Sequence, residues 1–188
     1  EPDRLESEPS RSIDSSDIAR ANRLARDESI TIGEDALRCL LVGAQVSELT
    51  RCAFNPAYAS VRAPDQTPDA PLFALEPATH TLTSLTEKLQ LDLGAVGKGY
   101  ALDVMAEILR EWEISSACLQ SGGSTVLVLD PPAGETGWPV GVGEGAARRV
   151  IQLQQRALSG SGISVKGEHL VDPRAGVAEA QSGREAVE

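Results

Sequence analysis

The chain has 188 residues, 41% of them hydrophobic and 24% charged, a composition typical of one ordinary globular domain or of two small subdomains. Its 28 acidic and 17 basic residues give a formal net charge of -11, which argues against a nucleic-acid partner. No stretch approaches the roughly 20 apolar residues of a membrane-spanning helix, so we expect no membrane insertion by this chain. Cys39, Cys52 and Cys118 lack CxxC spacing, and each is expected to be a small buried hydrophobic residue.

The first half of the chain predicts two helices followed by loops. Residues 1–15 are charged and rich in Ser and Pro, so we expect an extended or weakly ordered arm. Ser16 suits the N-cap of a short helix, and residues 34 to about 49 predict a longer one. The apolar stripe of that longer helix comprises Leu37, Leu40, Leu41, Ala44 and Val46. Repeated prolines in residues 61–88 predict loops and short edge strands.

The second half predicts a strand, a glycine-rich turn and a helix, followed by short strands. Alternating leucines predict a strand over residues 89–93, before a turn that contains Gly94, Gly97 and Gly99. A helix is predicted from Tyr100. Its apolar face comprises Leu102, Met105, Ala106, Leu109 and Trp112. Further strands are predicted over residues 117–120, 125–129, 138–142 and 150–153, the first two forming a hairpin. This order favours an α+β fold with mixed or antiparallel sheets.

The glycine-rich turn at residues 92–99 is the first candidate site. Backbone N–H groups at a helix N-terminus bind anions, and Lys98 adds a positive charge, so the turn could bind a phosphate group. On spacing alone, a purely structural tight turn is favoured over this phosphate role. The turn matches neither the dinucleotide-binding fingerprint nor the P-loop pattern.

Two other segments carry residue types suited to chemistry. His169, Asp172 and Arg174 lie in a sharply turning segment that could carry function, although, taken alone, side-chain bonds that hold the turn are the favoured explanation. Residues 157–162 combine hydroxyls and glycines that suit a phosphate or a metal-bound group, or form an ordinary loop. Nothing matches the nucleophile elbow of Ser hydrolases.

Six segments in order resemble the FAD:protein FMN transferase family, also called the ApbE family. They are residues 14–22, the AFNP segment at 53–56, LDLGAVGKGYALD at 91–103, LQSGGS at 119–124, ALSGSG at 157–162 and HLVDPRAG at 169–176. The resemblance implies an ApbE-like α+β domain over residues 16–176. Residues 177–188 would be a tail that is truncated relative to the family.

The resemblance also implies a reaction. Members bind FAD, use Mg2+ and transfer the FMN moiety to a Thr or Ser of an acceptor protein, with release of AMP. A catalytically silent FAD-binding relative and an FAD pyrophosphatase that yields FMN and AMP are the alternatives. A periplasmic or envelope location is implied, with lipid anchoring through a removed leader as one route and cytoplasm as the alternative.

Residue roles follow from the family positions. Asp92, Lys98 and Val171 match FAD contacts. The segment that lines the flavin nucleotide matches Ala53, Phe54 and Asn55. Ala95 matches a residue whose carbonyl binds the metal, and His169 matches the catalytic His near the reacting phosphate.

The chain also departs from the family pattern. Ser124 stands where the family carries an Asp, and Ser12 where it carries a stacking aromatic. The family's N-terminal M-G-T strand and its Asp and Thr metal ligands, expected beyond residue 176, are not found, so the chain is expected to be shortened or incomplete at both ends, with an incomplete metal site. Either the sequence omits parts of a longer enzyme, or the chain is a degenerate relative that no longer turns over.

Overall fold

The computed structural model describes residues 16–67, 70–143 and 145–160, and these fall into two compact units that meet in sequence at Gly97. Residues 16–97 of the first unit and 98–160 of the second each combine helix with short antiparallel strands. The α+β prediction is therefore confirmed. The predicted arm and tail lie outside the described residues. Within the described ranges, no helix has the length and apolar character needed to cross a membrane.

Two helices of the first unit match the predictions from the sequence. Helix α1 covers Asp17–Ala21, and its predicted N-cap is confirmed because the Ser16 hydroxyl accepts the Ala19 N–H at 3.1 Å. Helix α2 covers Glu34–Leu49. Its buried face comprises Asp35, Ala36, Leu37, Cys39, Leu40 and Gly43. Ala44, predicted on this face, is exposed. Its neighbour Gly43 is the residue on the buried face, where it lies close to Pro56 and Phe54.

The described part of the first unit also contains three antiparallel strands. They are β1 (Ser29–Thr31), β2 (Phe73–Glu76) and β3 (Thr81–Ser84), in the order β1-β3-β2. Leu82 of β3 lies opposite Ile30 and Leu75 and is fully buried. The prediction of edge strands is therefore right for β2 and wrong for β3, which is central because both neighbours pair with it.

The predicted strand over residues 89–93 is wrong. Leu89, Leu91 and Leu93 are buried as the alternation suggested, but the segment pairs with no strand of the described structure. Its backbone groups bond to side chains and to loop carbonyls instead. Alternating burial fixes which side chains face the core and leaves open how the backbone is hydrogen-bonded.

Helix α3 covers Gly97–Glu111, so it begins three residues before the predicted start at Tyr100. The second unit begins at its second residue, Lys98. Only Leu102 and Ala106 are buried on it, and Trp112, predicted on its apolar face, is 76% exposed. A three-stranded sheet has the order β4-β5-β8, comprising β4 (Cys118–Ser121), β5 (Thr125–Val128) and β8 (Arg156–Ser159). Strands β6 (Trp138–Val142) and β7 (Arg149–Leu153) form a separate hairpin. The predicted hairpin of β4 and β5 is confirmed.

The three cysteines are free thiols in different environments. Cys39 is buried in α2, as predicted, whereas Cys52 and Cys118 are exposed. Cys52 lies in the turn after α2, and Cys118 lies at an outward position of β4. The prediction of burial is therefore wrong for these two.

Candidate functional site

In the first unit, the end of helix α2 positions the predicted flavin-lining segment. Thr50 donates its hydroxyl to the Val46 carbonyl at 2.8 Å and accepts the Phe54 N–H at 3.1 Å. Arg51 and Cys52 adopt left-handed backbone conformations, with φ of 51° and 61°. These residues turn the chain sharply, so that Ala53, Phe54 and Asn55 follow directly from the helix end.

The same unit brings this segment to Asp92. Asn55 accepts the Ala57 N–H on its side-chain oxygen at 2.8 Å, which forms a tight turn around Pro56. The Pro56 carbonyl in turn accepts the Asp92 N–H at 2.7 Å. Two predicted cofactor-binding segments, far apart in sequence, are therefore hydrogen-bonded to each other.

The Asp92 side chain shapes the glycine-rich turn. Its Oδ1 accepts the Gly94 N–H at 2.8 Å, and a Cβ atom at Gly94 would lie 3.0 Å from that oxygen. The Leu93 carbonyl accepts the amides of Val96 and Gly97 at 3.1 and 2.7 Å. Ala95, the predicted metal-binding position, is exposed in this turn. The structural alternative for Asp92 is thus supported, and its predicted FAD contact stays a prediction.

A residue without a predicted role secures the approach to this turn. The Asn22 carboxamide donates to the Leu91 carbonyl at 3.1 Å and accepts the Leu91 N–H at 2.6 Å. The signal available in the sequence was that Asn22 ends the segment at 14–22, one of the six that resemble the family. Composition and periodicity gave no sign that it reaches Leu91.

In the second unit, hydrogen bonds link Lys98 to two other predicted segments, directly at Ser124 and through it to the end of β8. Its ammonium group donates a hydrogen bond to the Ser124 hydroxyl. The Ser124 carbonyl accepts the Gly160 N–H at 2.8 Å, and the hydroxyls of Thr125 and Ser159 lie 3.2 Å apart. The antiparallel register of β5 and β8 produces this meeting by placing Thr125 opposite Ser159. We call these five residues the Lys98 cluster.

The chemistry of the Lys98 cluster suits an anionic, oxygen-rich group. Lys98 lies in the first turn of α3, where the helix dipole also favours negative charge. Among the described residues, the only side-chain hydrogen bond of Lys98 is to a neutral hydroxyl, and no carboxylate forms an ion pair with it. Because an ammonium group has several N–H donors, Lys98 can bind an anion while it keeps its contact with Ser124.

Comparison with known proteins gives the chain a family. The profile of the ApbE family matches residues 1–184. The chain belongs to the ApbE family. No match to a curated protein sequence is significant.

Solved ApbE structures share the fold. A flavin transferase ApbE from Vibrio cholerae is 19% identical, with a TM-score of 0.76 over 93% of this chain and 65% of that one. The apo flavinyl transferase ApbE from Pseudomonas stutzeri is 19% identical, with a TM-score of 0.75 over 92% of this chain and 62% of that one. An ApbE protein from Thermotoga maritima is 21% identical, with a TM-score of 0.73 over 92% and 66%. The chain therefore spans less than two thirds of the length of these ApbE proteins.

The remaining ApbE site predictions fall outside the described residues. They concern His169, Val171 and the end of the 157–162 segment, so the predicted roles of these residues stay predictions. Within residues 16–67, 70–143 and 145–160, no group of three or more His, Cys, Asp or Glu side chains could hold a metal ion. The role of Ala95, which would bind a metal through its backbone carbonyl, stays a prediction.

Proposed function

We propose that the chain is a flavin transferase that uses FAD as substrate and moves its FMN moiety to a Thr or Ser hydroxyl of an acceptor protein. Family membership supports this proposal, and the observation that carries it is the Lys98 cluster. In that cluster the Lys98 ammonium group lies in the first turn of α3 and contacts the Ser124 hydroxyl, and these groups can bind a pyrophosphate.

The proposed reaction exchanges the phosphoanhydride bond of FAD for a phosphoester bond to the acceptor. The acceptor hydroxyl oxygen forms a bond with the phosphorus on the flavin side of FAD, and the bond from that phosphorus to the bridging oxygen breaks. The bridging oxygen leaves with AMP, and the hydroxyl proton passes to a base, a role that the family position gives to His169. Negative charge shifts onto the leaving phosphate, so a fixed cation such as Lys98 stabilises the transition state.

Family positions assign FAD contacts to Lys98, to Asp92 and to residues 53–55, and each of these contacts is part of the proposal. The proposal includes Mg2+, which would act as a Lewis acid on the phosphate oxygens. The chain's overall charge of -11 does not prevent binding, because a nearby cation outweighs distant charges that salt screens.

The test combines two measurements on the 188-residue chain. Isothermal titration measures FAD affinity, and mass spectrometry follows AMP release and flavin attachment to a Thr-containing acceptor peptide in the presence of Mg2+. AMP together with labelled peptide supports the transferase. AMP without peptide labelling identifies a pyrophosphatase, binding without AMP identifies a silent binder, and absence of FAD binding refutes the proposal.

Lys98→Met is the informative variant. A hydrogen bond to a charged group contributes about 1.5–3 kcal/mol, so we expect the Kd for FAD to rise roughly 10- to 100-fold. Lys88→Met is the matched control, because it removes the same charge from an exposed position outside the Lys98 cluster. Equal affinity of the two variants would contradict the role of Lys98.

A further inference from the structure

The side chain of Asn22 bonds to both backbone groups of one buried residue. Its amide nitrogen donates to the Leu91 carbonyl at 3.1 Å, and its Oδ1 accepts the Leu91 N–H at 2.6 Å. A carboxamide carries the same donor and acceptor as a peptide group. Asn22 therefore bonds to Leu91 as a residue of a neighbouring β-strand would.

This bond matters because residues 89–93 have no strand beside them in the described structure. The Gln90 N–H donates to the Ser60 hydroxyl at 2.9 Å, and the Asp92 N–H donates to the Pro56 carbonyl at 2.7 Å. Three successive amides are thus each bonded to a different part of the first unit. Loss of one partner leaves a buried polar group unsatisfied, because Leu91 is only 1% exposed.

Helix α1 holds Asn22 firmly in place. Asn22 is the C-cap of α1, and its backbone N–H donates to the Ile18 carbonyl at 3.0 Å. Ile18 is fully buried. At the other end of the helix, an Asp17 carboxylate oxygen accepts the Gly33 N–H at 2.7 Å. The carboxamide is therefore presented from a short helix that is anchored at both ends.

We infer that Asn22 is a positioning residue for the nucleotide site: it fixes the backbone at Leu91 and so sets the position of Asp92 and of the turn at residues 94–96. This inference rests on the proposed function. Asn22 acts through Leu91 and needs no contact of its own with the substrate.

The test compares Asn22→Ala with Gln66→Ala in the full chain. Gln66 is a matched control, because its half-buried carboxamide also bonds two backbone groups, accepting the Ala63 N–H at 2.8 Å and donating to the Leu85 carbonyl at 2.6 Å. Both variants should lose stability in urea unfolding. We expect the Kd for FAD to rise about tenfold in Asn22→Ala, which corresponds to a loss of about 1.4 kcal/mol of binding free energy. In Gln66→Ala the Kd for FAD should stay unchanged.

Asn22→Asp supplies a second readout. The ionised carboxylate can accept the Leu91 N–H but cannot donate to the Leu91 carbonyl, whereas the protonated carboxyl can do both. The FAD affinity of Asn22→Asp, relative to wild type, should therefore recover as the pH is lowered. The same ratio for Asn22→Ala should not change with pH.

Hydrogen exchange gives a readout that does not depend on FAD. In Asn22→Ala the Leu91 amide should exchange faster, while the Leu82 amide in β3 keeps its wild-type rate. Wild-type FAD affinity in Asn22→Ala, or equal losses of affinity in Asn22→Ala and Gln66→Ala, would overturn the inference. If the wild-type chain binds no FAD, the proposed function fails and the positioning role fails with it, whereas the exchange result would still show whether Asn22 holds Leu91.

Discussion

Gly43 offers a test of how helix α2 supports the flavin-lining segment. It is a helix residue whose added Cβ would lie 3.6 and 3.7 Å from Pro56 and 3.9 Å from the Phe54 ring. These are ordinary van der Waals distances, so Gly43→Ala fits without displacing either residue. Gly in a helix interior costs about 1 kcal/mol relative to Ala, and a buried methyl adds up to about 0.8 kcal/mol. We expect Gly43→Ala to raise the free energy of unfolding by about 1 kcal/mol.

Gly43→Leu should have the opposite effect. The larger side chain meets Pro56 and Phe54 directly, and overpacking of this kind costs about 1–3 kcal/mol. Since the Pro56 carbonyl binds the Asp92 amide, we also expect weaker FAD binding in this variant. Urea unfolding monitored by circular dichroism measures the stability change, and isothermal titration measures the affinity.

Gly143→Ala provides the control for a glycine that cannot be replaced. Gly143 has φ of +85°, and an added Cβ would lie 2.9 Å from the Ala147 carbonyl oxygen. Strain and contact should therefore lower the stability by roughly 1 kcal/mol or more. A Gly43→Ala variant that is less stable than wild type would refute the packing described for this helix.

Two further variants or treatments probe the core of the first unit. Leu82→Ala should lower the free energy of unfolding by about 3 kcal/mol, because Leu82 is fully buried in the central strand, and a loss below about 1 kcal/mol in urea unfolding would contradict that placement. Burial, with a smaller contribution from Asp35, raises the pKa of the Cys39 thiol from 9.0 to about 12. Iodoacetamide at pH 8 should therefore label Cys52 and Cys118 but leave Cys39 unlabelled until urea unfolds the chain, and mass spectrometry of peptides distinguishes the three. Because the unfolded thiol ionises first, stability should fall as the pH rises from 9.0 towards about 12.

Much of the fold could be predicted because local patterns dominate in it. The capping hydroxyl of Ser16 and the apolar spacing of α2 gave both helix positions, and two glycines between apolar runs gave the β4 and β5 hairpin. Residues 89–93 show where such reasoning ends. Their alternation reports burial, but their hydrogen-bond partners come from distant parts of the chain, which a local pattern cannot identify.

The sequence identified the segments of the candidate site but not the contacts between their residues. Residues 91–103, 119–124 and 157–162 were singled out by glycines, hydroxyls and the family resemblance. The contact of Lys98 with Ser124 depends on β-strand register and helix placement, so it required the structure. The bond from Asn22 to Leu91 is of the same kind.

The side-chain anchoring of Leu91 also bears on the order of folding. The two hydrogen bonds span 69 residues, so forming them requires closure of a long loop, which is slow compared with forming a helix or a hairpin. The glycine-rich turn should therefore become ordered late, after α1 and α2 have packed. Substitutions at Asn22 should then act mainly by accelerating unfolding and leave the refolding rate almost unchanged. In this molecule, the segment proposed to bind substrate would be the last part of its unit to form and the first to open.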